Sequence, residues 1–486
     1  MLGDTELSVE APGLEEVVVV PWPLLWRERV SKRVEGGEHY PWLVLVAALF
    51  GLFSVGFTIT VLSNSLTVIS NDLHAAPSTL TWVITGPLLA YAVLGPAAGK
   101  LGDVLGSRRV YLWSLAGVAV FAGATAFAWN GATLILFRVL GAGVGAATGP
   151  ASLAMINKLF PRERRAQALG YWSLVAAGGP VIGGPVVETF GWRWIFIAQV
   201  PLTLIALVVG FMVLPETDRR ERTPFDVSGS VLLGLGVGAA LVGLNRGPVL
   251  GWSSPLVDAM FLAAPLLLVA FVRVERRKAY PLIPLAYFRR RNFAFPIVNQ
   301  FFTNFAYMGG FIVTPFLLQN VLGYGPAHSG LVSIARPLAF SIAGPIAGYY
   351  TVRVGERTNA VLGAVVLVAS MLVLATVGVG STDLFIMAGL ALSGIGMGTA
   401  SPAIAAAIAN SVDEADLGVV SAAQQMVSQV GVVAGIQILL TVQAAREPVV
   451  GAAASYHAAY LVGAGAAAIG VVLAAFVRNT PRPPRD

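Results

Sequence analysis

Arg138 and Arg336 lie well inside long apolar stretches of the 486-residue chain. An arginine in hydrocarbon is costly unless it faces water or a partner, so such a residue indicates a functional site. Arg336 lies about eight residues, or roughly 12 Å, from the outer end of its predicted helix. We therefore expect both arginines to line a pathway for a substrate or a proton, with Arg336 facing an aqueous cavity.

The acidic residues have the opposite distribution. All 25 Asp and Glu residues fall in tails, loops or predicted helix ends, and those nearest to a helix interior are Asp72, Glu188, Asp226 and Asp258. A carboxylate within the apolar stretches, which could carry a proton or bind a cationic compound, is therefore not predicted.

Neutral polar side chains remain as candidates to line a cavity. Amides in membrane helices form hydrogen bonds between helices, and those that face a cavity can contact a substrate. Gln424 and Gln425 are adjacent, so they point about 100° apart on a helix and cannot both face the same point. Besides the two arginines, the predicted cavity residues are Asn64, Gln300, Asn304, Tyr307, Gln424, Gln425 and Gln429.

The apolar stretches determine the class of protein. The chain is 56% hydrophobic and 12% charged, whereas soluble domains contain about 25% charged residues. Apolar runs of about 18 or more residues predict transmembrane helices. We predict an all-α polytopic membrane protein with fourteen spans, at residues 43–70, 78–101, 109–128, 131–156, 165–188, 194–214, 227–245, 254–272, 292–321, 328–351, 358–377, 382–409, 417–442 and 455–477.

The order of the spans predicts two six-helix bundles with two extra helices between them. The predicted parts are a cytoplasmic arm (1–39), an N-terminal bundle (40–218), an extra helix pair with a basic linker (219–291), a C-terminal bundle (292–478) and a cytoplasmic tail (479–486). Short similarities indicate related halves, since Gly99 and Gly106 recur as Gly348 and Gly355, and Gly170 recurs as Gly418. Parallel repeats around a midplane site are one plan of secondary transporters.

The net charge of +6 follows the predicted membrane topology. Among the 31 Lys and Arg residues, only Arg193, Arg246 and Arg446 fall in loops on the side opposite to the N-terminus. Because cytoplasmic loops carry an excess of Lys and Arg, we expect both termini in the cytoplasm and the chain in a plasma (inner) membrane. The positive charge is then a topology signal, and no nucleic-acid partner is expected.

Other chemistry is not predicted by this sequence. The chain has no cysteine, which excludes disulfides, thiolate metal sites and cysteine nucleophiles. It also lacks the G-x-x-x-x-G-K-[ST] loop that binds nucleotide phosphates. We therefore expect no enzyme activity, no metal and no cofactor.

Two glycine-rich motifs carry a family resemblance. Gly99–Arg109 has small residues that permit close helix packing. This segment resembles the signature loop of the major facilitator superfamily. It departs from that loop at Val104 and Ser107, where a basic residue is usual. The resemblance implies an inner gate formed by Gly99, Gly102, Asp103, Gly106, Arg108 and Arg109. Asp103 would there form a charge contact that breaks during alternating access.

The second motif points to one branch of that superfamily. Gly179, Pro180, Gly183 and Gly184 form a G-P-x-x-G-G pattern, which resembles the antiporter signature of the fourteen-helix drug:proton antiporters. Arg138 matches that branch's intramembrane arginine, which the resemblance ties to proton transfer. The branch often carries an aspartate midway along the first helix, and Thr58 stands at the corresponding position here.

The resemblance predicts a secondary active transporter that exports a small amphiphilic, drug-like compound by alternating access, with proton-coupled antiport as the expected driving force. The expected partners are the small-molecule substrate, a proton and the lipid bilayer, and the expected state is a monomer. One alternative is a carrier of an anionic metabolite or lipid that is not coupled through a helix-1 carboxylate. Another is a membrane sensor or scaffold that transports nothing.

Overall fold

The computed structural model describes residues 39–74, 82–176, 190–215, 226–278, 281 and 285–479. Backbone polar groups in a bilayer must be paired within the protein, which favours helices. The helices of the N-terminal half are α1 (Tyr40–Leu73), α2 (Trp82–Leu105), α3 (Ser107–Ala126), α4 (Gly131–Gly145), α5 (Thr148–Leu159), α6 (Arg165–Gly170) and α7 (Arg193–Val213).

An extra helix pair follows, and then the C-terminal half. The extra pair is α8 (Val227–Leu250) and α9 (Pro255–Glu275). The helices of the C-terminal half are α10 (Arg291–Asn320), α11 (Pro326–Ser333), α12 (Ala335–Val354), α13 (Glu356–Leu374), α14 (Asp383–Asn410), α15 (Leu417–Val450) and α16 (Ala452–Ala475).

The predicted all-α membrane fold is confirmed. In the described part of the chain, 12 helical segments are long and apolar enough to cross a membrane. The sequence predicted residues 131–156 and 328–351 as continuous helices, but turns at Ala146 and Ile334 interrupt them. Each turn lies three or four residues before a proline, Pro150 or Pro337, which has no N–H to continue the helical hydrogen bonds. Much of the predicted span 165–188 lies outside the described residues.

The connections after α2 and α12 have the same backbone geometry. Gly106 joins α2 to α3 with φ of 95°, and Gly355 joins α12 to α13 with φ of 98°. Glycine adopts this left-handed conformation without the steric penalty of a Cβ atom. The two glycines that the sequence paired as a repeat therefore share one backbone conformation.

The extra pair packs beside the seam between α2 and α15. Gly234 and Gly238 of α8 face Val93 of α2 so closely that a Cβ atom on either glycine would contact its side chain. Leu233 of α8 also belongs to a buried cluster that includes Val433 of α15. The pair therefore contacts both halves.

Asp226 joins the ends of α8 and α9. Its carboxylate caps α8 by accepting a hydrogen bond from the Gly229 N–H at 2.8 Å, and it forms a salt bridge with Lys278 beyond the end of α9. Burial alone would raise the pKa of Asp226, but hydrogen bonds with Glu275, Lys278 and Gly229 lower this pKa to about 2. The charged carboxylate thus fastens the two helices at this end.

Candidate functional site

A cavity of about 290 Å³ lies between the two halves. Its walls include Gly56 of α1, Leu88 of α2 and Leu153 of α5, together with Trp172 after α6. The C-terminal half supplies Gln300, Asn304, Tyr307, Met308, Phe340, Met397, Ser401, Ala405, Gln424, Gln425, Ser428, Gln429 and Val432. A cavity of this size, mostly apolar with a few polar groups, is typical of a site for a small molecule.

The polar wall of the cavity consists mainly of neutral amides. Gln300, Asn304, Tyr307, Gln424 and Gln425, which the sequence singled out, all line it. Asn304 donates a hydrogen bond from Nδ2 to the backbone oxygen of Gln300 at 2.8 Å, so its amide is already oriented by its own helix. Because each amide has both an N–H donor and a carbonyl acceptor, these side chains can bind either hydrogen-bond acceptors or hydrogen-bond donors of a substrate.

Gln424 and Gln425 both contribute to this cavity. We expected these neighbours to be unable to face the same point, and the structure shows that both line the cavity wall. Gln425 also reaches the N-terminal half, where a Cβ atom on Gly149 would lie 3.5 Å from its Cδ. The polar surface of α15 therefore spans the boundary between the halves.

Arg336 lies outside this cavity, contrary to the expectation from the sequence. Its side chain is buried in the C-terminal half, and Nη1 donates a hydrogen bond to the backbone oxygen of Tyr307 at 3.3 Å. The guanidinium also faces the rings of Tyr307 and Phe311, with Cζ 5.6 and 5.9 Å from the ring centres. Tyr307 lines the cavity and Arg336 lies behind it, where two aromatic faces stabilise the cation.

Arg138 occupies a separate site within the N-terminal half. Its Nε donates to the backbone oxygen of Val83 at 3.3 Å, and its Nη1 donates to the hydroxyl of Thr58 at 3.0 Å. The ring centre of Phe196 lies 5.6 Å from Cζ. Arg138 is not among the residues that line the central cavity.

Some predicted site residues fall outside the described part of the chain. Gly179, Pro180, Gly183 and Gly184 are in residues 177–189, which are not described, and Asn64 and Asp103 have described backbones but not described side chains. The exposed Arg109 and the buried Arg108 follow Gly106 at the start of α3. Arg108 donates from Nη2 to the backbone oxygen of Phe211 in α7 at 2.6 Å.

The two halves meet closely at one end of the molecule. We call it the basic end, because Arg109, Arg162 and Arg357 lie there, after α2, α5 and α12. A Cβ atom on Gly99 of α2 would lie 2.1 Å from Cβ of Ala422 in α15. A Cβ atom on Gly170 of α6 would lie 2.4 Å from the backbone oxygen of Gly344 in α12. Only small residues allow helices to approach this closely.

Hydrogen bonds reinforce the contact between α6 and α12. Ser341 donates from its hydroxyl to the backbone oxygen of Ser173 at 2.8 Å. Gly348 also contacts Gly170, since a Cβ atom added to either glycine would lie 3.1 Å from Cα of the other. The cavity is therefore closed toward the basic end by contacts that involve both halves.

Arg165 is a functional candidate that the sequence analysis counted only as a topology signal. It is 2% exposed, and its Nε donates to the backbone oxygen of Asn157 at 2.9 Å. From the same side chain, Nη1 donates to the backbone oxygen of Ala409 at 3.3 Å and to Oδ1 of Asn410 at 3.2 Å, both in the other half. Its place at the start of α6, five residues before the repeated Gly170, was the available signal.

Residues 48–436 match the profile of the Major Facilitator Superfamily. The chain belongs to this superfamily. As a member of it, the protein is a multi-pass membrane transporter of small molecules.

Drug-resistance transporters are among the relatives of this superfamily member. The tetracenomycin C resistance and export protein of Streptomyces glaucescens is 34% identical over 417 residues, which cover 84% of this chain and 76% of the relative. The multidrug transporter protein MdtP of Bacillus subtilis is 29% identical over 422 residues, covering 85% and 77%. The predicted family and its drug-export relationship are confirmed.

A solved structure shares the fold. The human organic anion transporter MFSD10 (TETRAN) superposes with a TM-score of 0.66 and 17% sequence identity, covering 89% of this chain and 99% of that one. At this identity the similarity concerns the fold alone, and it confirms the predicted major facilitator architecture.

Proposed function

We propose that this protein exports small amphiphilic, drug-like compounds by alternating access through the cavity between its halves. The observation that carries the proposal is the cavity itself, which is walled by both halves and closed at the basic end by Gly99, Gly170, Gly344 and Gly348. Export of tetracenomycin C and of multiple drugs, named for the relatives, supports the same class of substrate here.

The cavity wall defines the chemistry of the substrate. Met308, Phe340 and Met397 offer an apolar surface, and methionine side chains adapt to ligands of different shapes. The polar groups are amides and hydroxyls, and neither Arg138 nor Arg336 belongs to the wall. This composition favours neutral or weakly polar amphiphiles over the anionic metabolites of the alternative reading.

The membrane orientation is part of the proposal. The basic end faces the cytoplasm, because cytoplasmic loops carry the excess of Lys and Arg, and both termini lie on that side of the plasma membrane. The protein acts as a monomer with an N-terminal bundle, an extra helix pair and a C-terminal bundle. In this orientation the structure represents a conformation closed toward the cytoplasm.

Proton-coupled antiport remains the proposed driving force. We propose that Asp103, with Arg108 and Arg109, gates the cytoplasmic side, and that Gly179, Pro180, Gly183 and Gly184 close the outer side. Thr58 stands where related antiporters often have an aspartate, so the proton would not be carried at that position.

Flux in proteoliposomes tests the function. The purified full-length chain is reconstituted, and the movement of a fluorescent amphiphile is followed with and without an imposed pH gradient. We expect uphill movement that requires the pH gradient. Movement that does not depend on the gradient would contradict proton coupling. Movement no faster than in protein-free liposomes would contradict transport and favour a membrane sensor or scaffold.

Two variants of α15 test the cavity. Gln425→Leu removes a polar group from the wall, whereas Gln437→Leu changes a buried glutamine of the same helix that does not line the cavity. Loss of one hydrogen bond is worth about 0.5–1.5 kcal/mol, or roughly 2- to 13-fold in affinity. We expect the affinity for the fluorescent amphiphile to fall by this factor in Gln425→Leu and to stay unchanged in Gln437→Leu. An equal loss of affinity in both variants would contradict the assignment of the cavity as the binding site.

A further inference from the structure

Arg138 has one buried nitrogen that its protein neighbours do not use. Nε and Nη1 donate to Val83 and Thr58, but Nη2 is buried and has no hydrogen-bond acceptor within the described part of the chain. A buried donor that lacks an acceptor is destabilising, and the penalty is larger when the donor is charged. This nitrogen is therefore suited to a ligand with negative charge.

The N-terminal half contains no carboxylate that could balance this charge within its spans. Residues 41–71, 82–102, 107–159, 165–187 and 193–215 contain no Asp or Glu in the sequence. Within the described residues, Arg138 forms no salt bridge. Thr58 contributes only a neutral hydroxyl, so the guanidinium retains its full charge in an apolar bundle.

A small cavity lies against Arg138. It has a volume of about 30 Å³, and its polar lining residues are Tyr91, Thr125, Arg138 and Gln199. A space of this size accommodates about one or two water molecules, or one monatomic anion, but no drug-sized compound. It is distinct from the 290 Å³ cavity between the halves, because the two have no lining residue in common.

The polar groups of the small cavity favour an anion. Thr125 and Gln199 direct their donors elsewhere, to the backbone oxygens of Phe121 at 2.6 Å and Ser54 at 2.9 Å. Tyr91 forms no hydrogen bond with another described residue, which leaves its hydroxyl hydrogen available. Arg138 and Tyr91 both line this small space, so a cationic side chain and a hydroxyl donor belong to its wall.

We propose that this cavity binds a small inorganic anion of the size of chloride, which supplies the counter-charge of Arg138. The anion accepts hydrogen bonds from Nη2 of Arg138 and from the Tyr91 hydroxyl. Its charge offsets the cost of the buried guanidinium, a role that a carboxylate at position 58 would otherwise fill. The site is independent of the exported compound, so anion binding can be tested without measuring transport.

Thermal unfolding of the full-length protein in nanodiscs gives the first test. Unfolding is measured in sodium chloride and in sodium gluconate at equal ionic strength, because gluconate is too large for the cavity. A ligand that binds the folded state alone raises stability, and we expect an apparent Tm about 2–4 °C higher at saturating chloride. Bromide should act like chloride. Equal Tm values in chloride and gluconate would overturn the proposal.

Position 58 offers a matched pair of variants. Thr58→Asp places a carboxylate beside Nη1 of Arg138, so the protein should no longer respond to chloride. Thr58→Asn has nearly the same shape without the charge, and it should retain the wild-type response. A chloride response that persists unchanged in Thr58→Asp, or is lost equally in both variants, would overturn the proposal.

Direct binding keeps the proposal testable if Thr58→Asp does not fold. Binding of radioactive chloride to the detergent-solubilised wild type is compared with binding to Tyr91→Phe, which removes one donor and preserves the ring. We expect about a 2- to 13-fold weaker affinity in Tyr91→Phe, the equivalent of one hydrogen bond. Absence of saturable chloride binding to the wild type, or unchanged affinity in Tyr91→Phe, would contradict the site.

Discussion

Gly170 of α6 and Gly348 of α12 contact each other directly across the boundary between the halves. A Cβ atom on either glycine would lie 3.1 Å from Cα of the other. Their partners in the internal repeat, Gly418 and Gly99, meet in the same way, with a Cβ atom on Gly99 3.3 Å from the backbone oxygen of Gly418. The basic end is therefore closed by two related contacts. Each is formed between one helix of the N-terminal half and one helix of the C-terminal half.

Gly99→Val should prevent this closure. Its side chain would overlap Ala422, and overpacking of this kind costs about 1–3 kcal/mol. A change of that size shifts an equilibrium between two conformations by about 5- to 150-fold. We expect transport to fall accordingly. For a labelling assay, Gln425→Cys is introduced with and without Gly99→Val, and we expect this cysteine to react faster with a maleimide added from the basic end when Gly99→Val is present. The chain has no native cysteine to interfere.

Gly95→Val is the matched control in the same helix. A Cβ atom at Gly95 has no atom within 4 Å, so the same added side chain should leave both closure and transport near the wild-type values. Equal effects of Gly95→Val and Gly99→Val would show that general disturbance of α2, and not the contact with α15, is responsible.

Arg165→Gln should open the same end through the loss of hydrogen bonds. The buried arginine donates to Ala409 and Asn410 of the other half, and hydrogen bonds from a charged group are worth about 1.5–3 kcal/mol. We expect at least about a tenfold reduction of the closed population, measured as the distance distribution between spin labels on the two halves. Glu414, 3.9 Å away and largely exposed, contributes little.

Arg164→Gln provides the comparison for Arg165. Arg164 is the exposed neighbour at the same end, so its variant loses the same charge without losing contacts to α14. If the two variants shifted the spin-label distances equally, the effect would come from net charge and the gating role of Arg165 would be wrong.

Asp226→Asn should loosen the extra helix pair and remove a pH dependence of stability. Its pKa is about 2 in the folded protein and about 3.9 in the unfolded chain. Between these values the unfolded chain binds more protons, so stability rises with pH. The stabilisation is complete above about pH 4 and is lost as the pH falls toward 2.

Thermal unfolding across this pH range checks the prediction. Asparagine still caps a helix, so the variant should lose mainly the charge-dependent contacts with Glu275 and Lys278, about 1–3 kcal/mol. It should therefore show a smaller decrease in Tm below pH 4. Asp258→Asn, an exposed acid at the other end of α9, should retain the wild-type profile. Parallel profiles for wild type and Asp226→Asn would contradict the pKa argument.

Arg336→Gln should lower transport of all substrates by the same factor. Arg336 is 1% exposed and lies behind Tyr307, outside the central cavity. Its replacement removes a charged hydrogen bond to the Tyr307 backbone, worth about 1.5–3 kcal/mol. Anionic, zwitterionic and cationic substrates are compared in one flux assay. A larger loss for the anions would show that Arg336 contacts the substrate in another conformation.

The fold could be predicted from the sequence because it depends on long-range composition. Apolar runs must become helices in a bilayer, and the repeated Gly106 and Gly355 mark equivalent turns. The turns at Ala146 and Ile334 could not be predicted, since other prolines, such as Pro87 and Pro96, lie within a continuous α2. Neighbouring helices decide which proline interrupts a span, and the sequence does not reveal those neighbours.

The candidate site could be predicted in part. The amides of α10 and α15 lie on the cavity because few other polar residues were available in the spans. Arg336 was misplaced, since the cost of a buried charge predicts only that it has some stabilising contact. Here two aromatic rings and the backbone oxygen of Tyr307 supply that contact instead of an aqueous cavity. Arg165 was missed because its partners in the other half, the backbone oxygen of Ala409 and Oδ1 of Asn410, are distant in sequence.

The packing of α8 against both α2 and α15 has a consequence for compounds dissolved in the lipid. Leu233 and Val433 belong to one buried cluster along this boundary, so the lateral route between α2 and α15 is obstructed on the side where the extra pair lies. A hydrophobic drug that partitions into the bilayer cannot reach the cavity through that side while α8 stays in place. The extra pair thereby makes the two lipid-facing sides of this boundary different, since only one of them is covered by a further helix.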